Sequence, residues 1–110
     1  MTPENKIDSE TWYVLQKIKE EYLRTKTSEP IKYEVKFYGY QEPSAPKSEN
    51  EVKTLEKLED VGAIKIIKKE EVPSEYYFET IFYYLKIIKE KFNELYTKFQ
   101  KKYDIKYQRL

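Results

Sequence analysis

Residues 76–88, YYFETIFYYLKII, decide the fold: six aromatic and four β-branched side chains occupy thirteen positions. Two readings compete. As a helix, the stretch opens an a/d heptad ladder of Phe78, Ile81, Leu85, Ile88, Phe92, Leu95 and Phe99. A helix over 75–103 would be about 43 Å long at ~1.5 Å per residue, too long for a small domain to cover without a partner. As a strand, it consists of the types that fit a pleated surface. Composition changes at residue 88. The following KEKFNELYTKFQKKY, 89–103, is mostly straight-chain helix formers with Phe92, Leu95, Tyr96 and Phe99 in one stripe. The change favours a strand over 79–88 and a helix over 89–103, with the continuous helix as the alternative.

The preceding segments weigh on the same side. AIKIIKK, 63–69, is isoleucine-rich and alternates, and EEVPSE, 70–75, offers a turn around Pro73 and Ser74. A hairpin of 63–69 with 79–88 gives each strand its partner. Before it, Ser48 and Glu51 have the spacing of a capping box. Val52, Leu55, Leu58 and Val61 supply a buried stripe, and Gly62 sits where a left-handed helix end wants glycine. The spacing predicts a helix over 49–61.

Further upstream, IKYEVKFY, 31–38, alternates strictly, with Ile31, Tyr33, Val35 and Phe37 on one side and Lys32, Glu34, Lys36 and Tyr38 on the other. It reads as a half-buried strand. Gly39 and the two-proline stretch QEPSAPKSEN, 41–50, read as a loop. Asp8 and Ser9 are good N-cap residues, and Trp12, Leu15, Ile18 and Tyr22, flanked by Val14 and Leu23, recur at helical spacing. A helix over 10–25 is expected, ended by the run from Thr25 to Pro30.

The chain has 110 residues, enough for one core. The expected organisation is a polar tail at 1–8, one α+β domain at 9–103 and a basic tail at 104–110. Charged residues make up 37% and aromatics 16%; a disordered chain of such charge would lack the rings to bury area. With neither cysteine nor histidine, no metal, disulfide or cofactor is expected. The Lys, Glu, Ile and Tyr bias resembles that of a hyperthermophile, and an AT-rich genome writes nearly the same one. No apolar run approaches the ~20 residues of a membrane span, and no apolar leader follows Met1. A cytoplasmic protein without a membrane partner is expected.

Two glycines cannot write a phosphate-binding loop, and the adjacent carboxylates Glu20–Glu21 and Glu70–Glu71 lie in charged surface runs. No enzyme is expected. The formal charge by segment is −1 over 1–45, −2 over 46–75 and +4 over 76–110, so the basic end is the C-terminal one.

Helix, strand, helix and hairpin is the element order of a winged helix, and LEKLEDVGAIKIIKK, 55–69, resembles the recognition helix and first wing strand of winged helix-turn-helix domains. The resemblance spans roughly residues 10–88. It implies a transcriptional-regulator or replication-accessory protein that binds nucleic acid, duplex DNA in the first place. Lys53 and Lys57 would face bases or phosphates, and Lys65, Lys68 and Lys69 would lie on the wing. The competing reading of the helical pair is a solvated face ion-paired to Glu56, Glu59 and Asp60. In the tail, Lys98, Lys101, Lys102, Lys106 and Arg109 with Tyr103 and Tyr107 interleave cations and rings, as single-stranded nucleic-acid binding does. Cations favoured by a helix dipole are the other account. Phe92, Leu95, Tyr96 and Phe99 would pair a homodimer, dock a protein partner or complete the core. Docking without any DNA role is the alternative function.

Overall fold

A computed structural model describes the backbone of residues 3–25, 30–37, 47–73 and 79–108, and the side chains of these within 9–102. Three helices and one three-stranded antiparallel sheet follow in the order α1 (Pro3–Arg24), β1 (Ile31–Phe37), α2 (Ser48–Asp60), β2 (Ile64–Val72), β3 (Glu79–Ile87) and α3 (Lys89–Gln108). The deciding stretch is a strand. From Glu79 to Ile87 it lies in the middle of the sheet, whose order is β1-β3-β2. Being bonded on both sides satisfies the backbone of the most β-prone sequence in the chain. The continuous helix over 75–103 is thereby overturned; residues 76–78 lie outside the described ones.

The inner face of the sheet carries Ile31, Tyr33 and Val35 from β1, Ile64 from β2, and Tyr83, Leu85 and Ile87 from β3, all buried. Val14, Leu15 and Ile18 of α1 and Leu55 and Leu58 of α2 cover it. Each such side chain contributes about 1.5–3 kcal/mol by leaving water. α3 lies against α1. Phe92 is buried, Leu95, Tyr96 and Phe99 are packed on the core, and the Tyr96 ring stands 5.0 Å from that of Trp12.

Several boundaries depart from expectation. α1 begins at Pro3 and not after Asp8 and Ser9. Proline at the first helical position loses no hydrogen bond and has its φ preset for the helix, so the start moves upstream and the backbone of residues 3–8 belongs to α1. β2 runs on through Glu70, Glu71 and Val72, which pair with Phe82, Ile81 and Thr80. Lys68–Glu70 and Lys69–Glu71 ion pairs along the strand, at 3.7 and 3.6 Å, accompany that extension. α3 reaches Gln108, past the expected end at 103, since no glycine or proline stops it. The loop expected over 41–50 gives way at Lys47 to the N-cap of α2, which takes up 48–50; its residues 41–46, Tyr38, and the turn beyond Pro73 fall outside the described residues.

The capping box of α2 does not form. Lys47 stands at the N-cap with extended backbone and no side-chain cap bond. Ser48 donates instead to the carbonyl oxygen of Lys36, tying α2 to β1. Glu51 turns inward to the Tyr33 hydroxyl and the Lys17 ammonium. At the other end, Gly62 has φ +82°, Gly62 N–H donates to Glu59 O and Ala63 N–H to Leu58 O. This paired closure is a Schellman motif, and it delivers the chain directly into β2.

Candidate nucleic-acid interface

Because the buried apolar residues of the strands point to the helices, the other sheet face is left to the alternate positions. β1 contributes Lys32, Glu34 and Lys36, and β3 contributes Thr80, Phe82, Tyr84 and Lys86. In β2 the ladder slips between Ile66 and Lys68, so Ile67 has no partner on β3. This bulge re-phases the strand. Lys65 lies on the outer face before it, and Lys68, Glu70 and Val72 lie on that face after it, while Lys69 and Glu71 pass to the inner side opposite Tyr83 and Ile81.

The registers then set four rows across the outer face. Lys86 lies opposite Lys65; Tyr84 lies between Lys32 and Lys68; Phe82 lies between Glu34 and Glu70; Thr80 lies between Lys36 and Val72. Thr80 is buried, Phe82 and Tyr84 are half-buried, and the five lysines are exposed. Lys32 Nζ sits 4.1 Å from the centre of the Phe82 ring, and Lys68 Nζ sits 5.5 Å from that of Tyr84. At exposed sites such cation–π contacts are worth about 0.5–1 kcal/mol. Glu34 is bridged to Lys36 at 3.1 Å, and Glu70 to Lys68. Lys65 and Lys86 have no ion-pair partner among the described residues.

Family models, curated proteins and solved structures contain no match to this chain.

The residues singled out in the sequence scatter around this face. Lys65 and Lys68 lie on it. Lys69 is on the opposite side of β2, 6.0 Å from the Tyr83 ring. Lys53 and Lys57 are exposed on α2 without an ion pair among the described residues, yet Glu49, Glu56, Glu59 and Asp60 share that exposed surface. Glu59 is engaged by Ile66, whose N–H donates to its Oε2 at 2.7 Å, a bond that also occupies an amide of an edge strand. Lys98, Lys101 and Lys102 are exposed on α3; the side chains of Lys106, Tyr103, Tyr107 and Arg109 fall outside the described residues. Phe92 is buried and Leu95, Tyr96 and Phe99 are half-buried against the core, with Lys19 Nζ 4.0 Å above the Tyr96 ring.

Sequence reasoning passed over Lys32, Lys36, Phe82, Tyr84 and Lys86 as a group. The alternation of IKYEVKFY already separated Lys32, Glu34 and Lys36 from the core side, but which β3 residues stand beside them is a matter of register. No helix among the described residues is long and apolar enough to cross a membrane.

Proposed function

We propose that the chain is a small nucleic-acid-binding protein with no enzymatic role, of winged-helix-like topology, that holds phosphates with the lysines of its outer sheet face and its β2–β3 hairpin. The order α1-β1-α2-β2-β3, with β3 central, supports the winged-helix-like reading. The resemblance brings duplex DNA in as a ligand, while the acidic neighbours of Lys53 and Lys57 make α2 the weaker contact surface.

The observation that carries the binding reading is the Lys65–Lys86 pair. Like charges directly opposite one another on neighbouring strands oppose folding by a few tenths to about 1 kcal/mol. No carboxylate among the described residues relieves this pair. The next row adds Lys32 and Lys68, so positive charge is concentrated along one end of an open face. A phosphate backbone removes the repulsion and releases counterions as it does so.

Fluorescence anisotropy of labelled mixed-sequence oligonucleotides, single-stranded and duplex, tests this across a salt series. Binding at low salt is expected to weaken steeply with added salt. Lys65→Glu with Lys86→Glu should lower the log–log slope by between about 1 and 2, the share of two phosphate contacts. Absence of binding to either form at low salt overturns the proposal.

A further inference from the structure

We infer that the nucleic acid held on the outer face is a single strand whose bases stack on Phe82 and Tyr84; this rests on the nucleic-acid reading and names the form of the ligand. The two rings are two positions apart on the central strand and face the same way. That separation is about 6.6–6.8 Å along the strand. Bases within one strand of a duplex lie about 3.4 Å apart, with both faces of each interior base already stacked. Two rings at twice that interval cannot each take a base from an intact duplex. An unstacked single strand can offer successive bases at the wider spacing, and ring stacking of this kind accepts any base.

The lysines complete the arrangement. Lys32 and Lys68 now lie over the two rings. When a base takes the ring face, each ammonium moves off by side-chain rotation and meets a phosphate; Lys32 exchanges a ring contact for an ion pair, and Lys68, which also gives up its 3.7 Å pair with Glu70, exchanges one anionic partner for another. Lys65 and Lys86 extend the cationic row beyond Tyr84. The only carboxylates in these outer rows, Glu34 and Glu70, are bridged to Lys36 and Lys68, so of the five lysines three, Lys32, Lys65 and Lys86, are in excess of the acids. This is the complementarity that a polyanion with exposed rings of its own requires.

Leucine in place of either ring keeps an apolar side chain on the strand but removes the stacking plane. Phe82→Leu and Tyr84→Leu are each expected to weaken binding of a short labelled single strand about tenfold, with the salt slope unchanged, while Tyr84→Phe binds as the unaltered chain does. Duplex affinity should not move with the leucine variants. Near-UV circular dichroism checks that they fold. If they do not, quenching of tyrosine emission by the single strand decides: it should be smaller in Tyr84→Phe than in the unaltered chain, and equal quenching overturns the inference. A single strand bound equally well by the leucine variants, or a duplex bound where the single strand is not, overturns the stacking and leaves the nucleic-acid reading intact. Binding of neither form removes both.

Discussion

The Tyr33 hydroxyl donates to Glu51 Oε2 at 2.6 Å, joining the inner face of β1 to the first turn of α2 with both side chains buried. Lys17 of α1 donates to the same oxygen at 3.0 Å and to the Glu34 carbonyl at 2.9 Å, and its ammonium stands 4.5 Å from the centre of the Tyr33 ring. One carboxylate therefore holds three elements together. This is why Glu51 leaves the helix N-terminus unserved: a buried carboxylate must be met by donors, and a tyrosine hydroxyl and an ammonium meet it here.

Removing the acceptor should be costly. Glu51→Ala strands the Tyr33 hydroxyl and leaves Lys17, whose side chain is 31% exposed, with its carbonyl bond and water. A loss of about 2–4 kcal/mol is expected, the lower range for a buried pair because one partner reaches solvent. Glu51→Gln can still accept from Tyr33 and should lose less than half of that. Urea denaturation of the two variants measures the difference, and equal losses would show that the charge and not the hydrogen bonds carries the contribution.

The same bond makes stability fall in alkali. Burial first, and then the Glu51 charge, raises the Tyr33 pKa above its ordinary value of 10.0. The unfolded chain releases this proton near pH 10 while the folded chain keeps it, so the contribution is complete below about pH 10 and is lost as pH rises beyond. The slope for one group is about 1.4 kcal/mol per pH unit. Tyr83 adds in the same direction, raised by burial and by the Glu56 and Glu71 charges. Between about pH 9 and about pH 11 the unaltered chain should lose about 1.4 kcal/mol more than Tyr33→Phe. Parallel pH profiles from denaturant melts would refute the assignment.

Gly62 tests the closure between α2 and β2. A Cβ placed there meets nothing within 4 Å, so space does not forbid a side chain, but φ is +82°. Gly62→Ala is expected to cost about 1 kcal/mol through backbone strain alone, and Gly62→Asn less, because asparagine visits the left-handed region more readily. The denaturant midpoint should shift without a change in slope, which separates strain from a loosened fold.

Much of the architecture is legible residue by residue. The alternation of Ile31, Tyr33 and Val35 names a buried face, the Gly62 punctuation ends α2 where the structure ends it, and the compositional break at residue 88 separates β3 from α3. Ser48 and Glu51 mislead because side chains able to form a capping box can equally bond partners on other elements: Ser48 donates to the Lys36 carbonyl, and Glu51 accepts from Tyr33 and Lys17. Only the approach of Tyr33 and Lys17 from other elements decides between the two arrangements. The candidate site was half legible: Lys65 and Lys68 stand out as cations on a strand, whereas Phe82 and Tyr84 are indistinguishable in sequence from the core aromatics beside them.

Local residue chemistry determined the elements, their order and one apolar side for most of them, because periodicity and helix-end residues act over a few positions and are written in consecutive letters. The tertiary structure alone decided which strand is central, that Glu51 serves the interior, and which side chains share the exposed sheet face. Ile66 and Ile67 show the reason. Two equally apolar neighbours leave the strand free to slip its phase by one residue, and pairing with β3 selects the bulge that sends Lys68 outward beside Tyr84.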